Sequence, residues 1–197
     1  PMRMPVALMD VLASHQIRAA VLEGLLARSN GEIGFYAQVS LEASGISALV
    51  NQASNQLNTG SSPERNGGCH PNIAPYGDVL NCKNGHVVLA VGNNRQFKAL
   101  CQALSCPEFA IDARFSTNQL RVQNRTPLIN LLQNAVHNRC KKELMHCLNS
   151  AAVPAGLVKS MEEVFEPGTT GAKSLVTNDD GQIRPAAVAY HVTCFGI

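Results

Sequence analysis

Pro5–Arg28 reads Pro-Val-Ala-Leu-Met-Asp-Val-Leu-Ala-Ser-His-Gln-Ile-Arg-Ala-Ala-Val-Leu-Glu-Gly-Leu-Leu-Ala-Arg. Apolar residues recur at Leu8, Val11, Leu12, Val21, Leu22, Leu25 and Leu26, with Ala13, Ala19 and Ala20 between them, a helical period. Pro5 suits the first helical position, and Ser29-Asn30-Gly31 supplies a stop. One carboxylate, Asp10, falls in the first turn, with Ser14 and His15 a turn further on. On spacing alone an acidic residue there complements the helix dipole. The alternative is a carboxylate nucleophile, a role that Asp and Glu fill by forming covalent acyl intermediates.

Outward from this helix, Gly31 and Gly34 flank a turn, and Phe35–Leu41 alternates as a half-buried strand would. A second helix is predicted over Glu42–Leu57, with Ile46, Leu49, Val50, Ala53 and Leu57 on one stripe. Residues 58–77 are dominated by Gly, Pro, Ser and Asn, the composition of a long functional or linking loop.

Beyond the loop the pattern is that of a small α+β domain. Asp78–Cys82 and His86–Val91 read as strands joined through Asn84-Gly85, a strong hairpin signal. Asn93 with Gln96 three residues on is a capping-box variant, opening a helix whose buried stripe is Phe97, Leu100, Cys101 and Leu104. Pro107–Ile111 is a short helical turn; Thr117–Arg125, Pro127–Val136 and Lys141–Leu148 are helices. Leu157–Ser160 is a short strand, Met161–Phe165 a short helix, Glu166–Gly171 a loop, and Ala186–Val192 a last strand. The expected organisation is a helix–strand–helix segment over 1–60 carrying Asp10, a linker loop over 61–77, a small α+β domain over 78–160, and a return segment over 161–197.

The 197 residues are 45% hydrophobic and 15% charged, a globular composition. A net charge of +2 with no basic run longer than Lys141-Lys142 gives no electrostatic footprint for nucleic acid. No apolar run reaches a membrane span, and no secretory signal is visible. Seven cysteines without a C-x-x-C read as reduced, mostly buried thiols in a cytosolic or mitochondrial-matrix protein. His137, Cys140, His146 and Cys147 match no usual zinc spacing, so no metal is expected. His70 is either a ligand-contacting loop residue or a surface histidine. There is no G-x-S-x-G, G-x-G-x-x-G or G-x-x-x-x-G-K motif. From the residues alone the chain is a soluble α/β protein of open function.

Ala7-Leu8-Met9-Asp10, the helix to Arg28, the Gly31–Gly34 turn and Ala37–Leu41 together resemble the central segment of family III CoA-transferases, the CaiB–BaiF family. His70–Tyr76, Asn84-Gly85, Val91–Phe97, Phe115–Asn118, Arg121, Asn124-Arg125 and Val153–Gly156 resemble its small domain, in the family's order. The Gly31-Glu32-Ile33-Gly34 turn departs from the family's T-G-x-G.

The resemblance implies an α/β fold of partial extent: the linker helix and strand of the large domain plus the small α+β domain, without the N-terminal Rossmann-like half. It implies that Asp10 takes the acyl group from an acyl-CoA, that coenzyme A is a substrate, and that a small carboxylic acid is the acceptor. It further implies acyl or acceptor contacts from the loop of His70, Asn72 and Tyr76. The backbone N–H groups of Gly67 and Gly68 are added here as candidates to support developing negative charge. Family members form interlocked dimers, so a second copy or a companion chain is expected. Two other readings stand beside this one: a non-catalytic homologue serving as a structural subunit, and an acyl-CoA racemase of the same superfamily, which needs a further acid/base group.

Overall fold

The structure, a computed structural model, describes residues 4–186 and Thr193. The backbone separates into two compact units, one running through Arg65 and the other from Asn66 onward. The boundary falls within the loop of 60–75.

The first unit is helical. α1 spans Leu8–Ser29, α2 Leu41–Ser47 and α3 Val50–Thr59. α2 is capped by Ser40, whose hydroxyl accepts from the Ala43 N–H. α1 and α2 meet at Gly45, where a Cβ would lie 2.5 Å from the sulfur of Met9. Gly24 serves a similar purpose within α1: a Cβ there would lie 2.6 Å from the Phe35 ring. That contact accounts for a residue that costs a helix about 1 kcal/mol relative to Ala.

The second unit is built on the three-stranded antiparallel sheet of β1 (Tyr76–Cys82), β2 (Gly85–Ala90) and β3 (Ala155–Val158), in the order β1-β2-β3. Leu80 pairs with Val87 and Val87 with Leu157, which places one row of side chains on the inner face. Four helices belong with this sheet: α4 (Asn94–Ala103), α5 (Asn118–Gln123), α6 (Arg125–Val136) and α7 (Lys141–Ser150). Leu80, Val87, Leu89, Phe97, Leu100, Phe115, Leu128, Leu132, Leu144 and Leu148 are buried in one cluster. Asn93 caps α4 by accepting from the Gln96 N–H, while the Gln96 side chain accepts from Gly92 rather than from the cap residue. The outer edge of β1 is closed by the Gln133 amide, which accepts from the Asn81 N–H (2.8 Å) and donates to its carbonyl (2.7 Å). Short elements follow: α8 (Met161–Val164), α9 (Thr170–Lys173) and the hairpin of β4 (Leu175–Thr177) with β5 (Ile183–Pro185).

Several expectations are corrected. Pro5 lies ahead of α1, which begins at Leu8. Residues 34–40 carry the alternation of a strand but have no ladder partner among the described residues. The predicted helix over Glu42–Leu57 is two helices, broken where Val50 takes φ +43°. Of the described cysteines, Cys101 and Cys106 are buried and Cys69, Cys82, Cys140 and Cys147 half-buried, all free. Cys140 precedes α7 as its cap residue. Thr170–Lys173, expected in part as loop, is helical. The last predicted strand, Ala186–Val192, lies outside the described residues beyond its first position.

Candidate functional site

Asp10 stands in the first turn of α1, exposed, without a hydrogen-bond or ion-pair partner among the described residues. Its turn has no side-chain cap, and a carboxylate in that first turn complements the helix dipole. Ser14, a turn on, bonds its hydroxyl to the Val11 carbonyl and is thereby occupied. Asp10 belongs to the first unit.

The other candidates, Gly67, Gly68, His70, Asn72 and Tyr76, belong to the second unit and come together in one loop. The loop closes on itself through the His70 N–H, which donates to the Tyr76 carbonyl at 2.8 Å. The two rings meet edge to face, with centroids 5.4 Å apart. The Asn72 N–H donates to Nδ1 of His70 at 3.1 Å. At the mouth of the loop, Gly77 (φ +76°) passes so close to Gly68 that a Cβ would stand 2.0 Å from the Gly68 oxygen. Only glycine fits there. Gly67, at φ +60°, faces open space, and neither the Gly67 nor the Gly68 N–H has a partner among the described residues.

Two arginines four residues apart hold the loop from beneath. Arg125 bonds Asp78 through Nη1 (2.7 Å), and through Nη2 it donates to the carbonyls of His70 (2.5 Å) and Ile73 (2.6 Å). Asp78 is 2% exposed and completes the clamp. Its Oδ2 also accepts the Tyr76 N–H at 2.8 Å, and its Oδ1 accepts the Cys69 thiol proton at 3.2 Å. Burial first, and then the Asp78 carboxylate, push the Cys69 thiol above its ordinary pKa. Cys69 is therefore a held thiol, not a reactive thiolate.

Arg121 is completely buried and pairs with no carboxylate among the described residues. Nε donates to the Ala74 carbonyl (2.8 Å), Nη1 to that of Phe115 (3.0 Å) and Nη2 to the Asn94 amide oxygen (2.9 Å). The guanidinium lies 4.5 Å over the Phe97 ring. Asn118 adds two more tethers, accepting from the Ala74 N–H (3.1 Å) and donating to the Asn72 carbonyl (2.7 Å). The Ala74–Pro75 bond is cis.

The loop backbone is thus fixed by side chains from α5 and α6. A polar hollow of about 260 Å³ opens beside it, lined by Asn66, Cys69, His70, Pro71, Val122 and Arg125. Sequence reasoning singled out the loop but gave Asp78, Asn118, Arg121 and Arg125 no role. The signal available was the Arg-x-x-x-Arg spacing, which puts two guanidiniums on one side of the α5–α6 corner. Among the described residues no group of three or more His, Cys, Asp or Glu residues could hold a metal ion. None of the described helices is long and apolar enough to cross a membrane.

The model of CoA-transferase family III matches residues 1–195. The succinate–glutarate CoA-transferase of Agrobacterium fabrum is 31% identical over 94% of this chain and 47% of its own length. The human succinyl-CoA:glutarate CoA-transferase is 30% identical over 84% of this chain and 37% of its own. A CAIB/BAIF family protein of Brucella suis has a solved structure that superposes with a TM-score of 0.70 at 31% identity, over 96% of this chain and 50% of that one. A Mycobacterium tuberculosis structure at 20% identity gives 0.81 and shares the fold. The chain spans half the length of these relatives or less, and its mixed α/β fold is accordingly a partial one.

Proposed function

The chain belongs to CoA-transferase family III, and from that premise we propose that it transfers CoA from an acyl-CoA thioester to a small carboxylic acid through a covalent intermediate on Asp10. The names of its relatives point to dicarboxylic acids such as succinate and glutarate as the substrate class.

In this reading the Asp10 carboxylate attacks the thioester carbonyl. The C–S bond breaks, CoA leaves as thiolate, and a mixed anhydride remains on Asp10. The thiolate then attacks the Asp10 carbonyl carbon, forming an aspartyl-CoA thioester and releasing the donor acid as its carboxylate. The acceptor carboxylate displaces CoA from that thioester, giving a second mixed anhydride. Attack of the thiolate on the acceptor's acyl carbon yields the new acyl-CoA and restores Asp10. Each step exchanges one activated acyl bond for another, so the thioester's free energy is kept rather than lost to water.

The supporting observation is the placement of Asp10. It is the one acidic residue in the first turn of α1, solvent-exposed and unpaired among the described residues, so its carboxylate oxygens are open to an incoming thioester. The loop of Gly67, Gly68, His70, Asn72 and Tyr76 is assigned to the acid. The reading includes a partner, a second copy or a companion chain, and an intracellular site of action, where free thiols stay reduced. The test is conversion of succinyl-CoA and glutarate to glutaryl-CoA and succinate. Asp10→Asn should lower the rate roughly a thousandfold or more, since it removes the bond-forming group. Transfer within tenfold of the unsubstituted chain would rule Asp10 out.

A further inference from the structure

His70 is restrained on every side but one. Its N–H goes to Tyr76, its carbonyl takes Arg125, and its ring stands edge-on to the Tyr76 ring. The remaining restraint decides its chemistry. The Asn72 backbone N–H points at Nδ1 from 3.1 Å. A backbone N–H only donates, so the Nδ1 it meets must be a bare lone pair. A neutral imidazole has one N–H, and here that proton belongs on Nε2. Nε2 has no partner among the described residues, and His70 lines the polar hollow beside Cys69 and Arg125.

Resting on the function proposed above, we propose that His70 is locked as its Nε2–H tautomer and that this N–H is the donor that takes up a carboxylate oxygen of the acid substrate. In this state the imidazole presents no basic lone pair to the hollow, so its part is to donate and position, not to abstract a proton. The electrostatics agree. Of the Arg125–Asp78 pair, the cation is the member with side-chain surface exposed (19%), while the carboxylate is 2% exposed. An anion in the hollow therefore meets the guanidinium side of the pair. The Cys69 thiol proton is already given to Asp78 and does not compete. A carboxylate, which only accepts hydrogen bonds, is the ligand this donor suits.

The test is nitrogen-15 NMR of the histidine rings in the full chain, with the His70 signals assigned by their loss in His70→Gln. The expected result is a bare Nδ1 and a protonated Nε2, with the Nε2–H signal shifting as glutarate is added. Glutarate binding should weaken about tenfold in His70→Ala, the loss of one charge-assisted bond. It should stay within about threefold in His70→Gln, whose amide nitrogen occupies the place of Nε2. A proton on Nδ1, His70 signals unmoved by glutarate, or unaltered glutarate binding in His70→Ala would each overturn the donor role. None of these readouts depends on turnover. CoA transfer that persists while the donor role fails leaves the proposed function standing, and transfer that fails while glutarate still moves Nε2–H leaves the donor role standing.

Discussion

The two units treat the same kind of sequence in opposite ways. α6 and α1 both carry apolar residues at helical spacing. On α6, Leu128, Leu132 and Val136 are buried to the last fraction of their surface. On α1, Val11, Ile17, Val21, Leu22, Leu25 and Leu26 are all exposed, Leu26 by 62%. Periodicity therefore identifies which face of a helix is built to be covered, and leaves open what covers it. In the second unit, sheet, helices and the arginine-held loop cover one another.

The largest effect expected from breaking this contrast is at Arg121. Arg121→Met keeps the volume but strands the Ala74 and Phe115 carbonyls and the Asn94 amide in the interior, and should cost about 3–5 kcal/mol. Urea unfolding followed by circular dichroism measures it. A loss under about 1 kcal/mol would mean that the buried guanidinium is not what holds the loop. Next, Leu132→Ala should cost about 2–5 kcal/mol, while Leu26→Ala on α1 should stay within about 0.5 kcal/mol. Equal losses at the two leucines would show that the α1 face is covered in solution and would erase the contrast. Effects smaller than that at Leu132 sharpen the comparison within the loop. Gly77→Ala meets both a positive φ and the Gly68 oxygen and should cost about 2 kcal/mol or more. Gly67→Ala, strained but unobstructed, should cost about 1 kcal/mol.

How much of this was legible in the sequence follows from how local each signal is. The Asn84-Gly85 hairpin, the Asn93 cap and the α4 and α6 stripes are written within a few residues of themselves, and each formed where the pattern placed it. The strand expected at 35–41 finds no ladder partner among the described residues, and alternation alone does not supply one. The division between α2 and α3 turns on one backbone angle at Val50, a β-branched residue that gives no hint of φ +43°.

In the candidate site, Asp10 and the His70–Tyr76 loop stood out through motif resemblance. The clamp beneath the loop does not: Asp78 reads only as the start of a strand, and Arg121 and Arg125 resemble positions of the family's small domain without a role attached to them. Arg121 reaches the Ala74 carbonyl 47 residues back and the Asn94 amide 27 back, and Asp78 meets Arg125 47 residues on, separations that no short window spans.

The central claim is the covalent role of Asp10, and intact-mass measurement tests it most directly. The chain is mixed with succinyl-CoA, measured, and then treated with hydroxylamine. The account predicts a mass gain corresponding to an acyl or CoA adduct, mapped to Asp10, discharged by hydroxylamine and absent from Asp10→Ala. Folded protein that keeps an unmodified Asp10 after exposure to succinyl-CoA would contradict it.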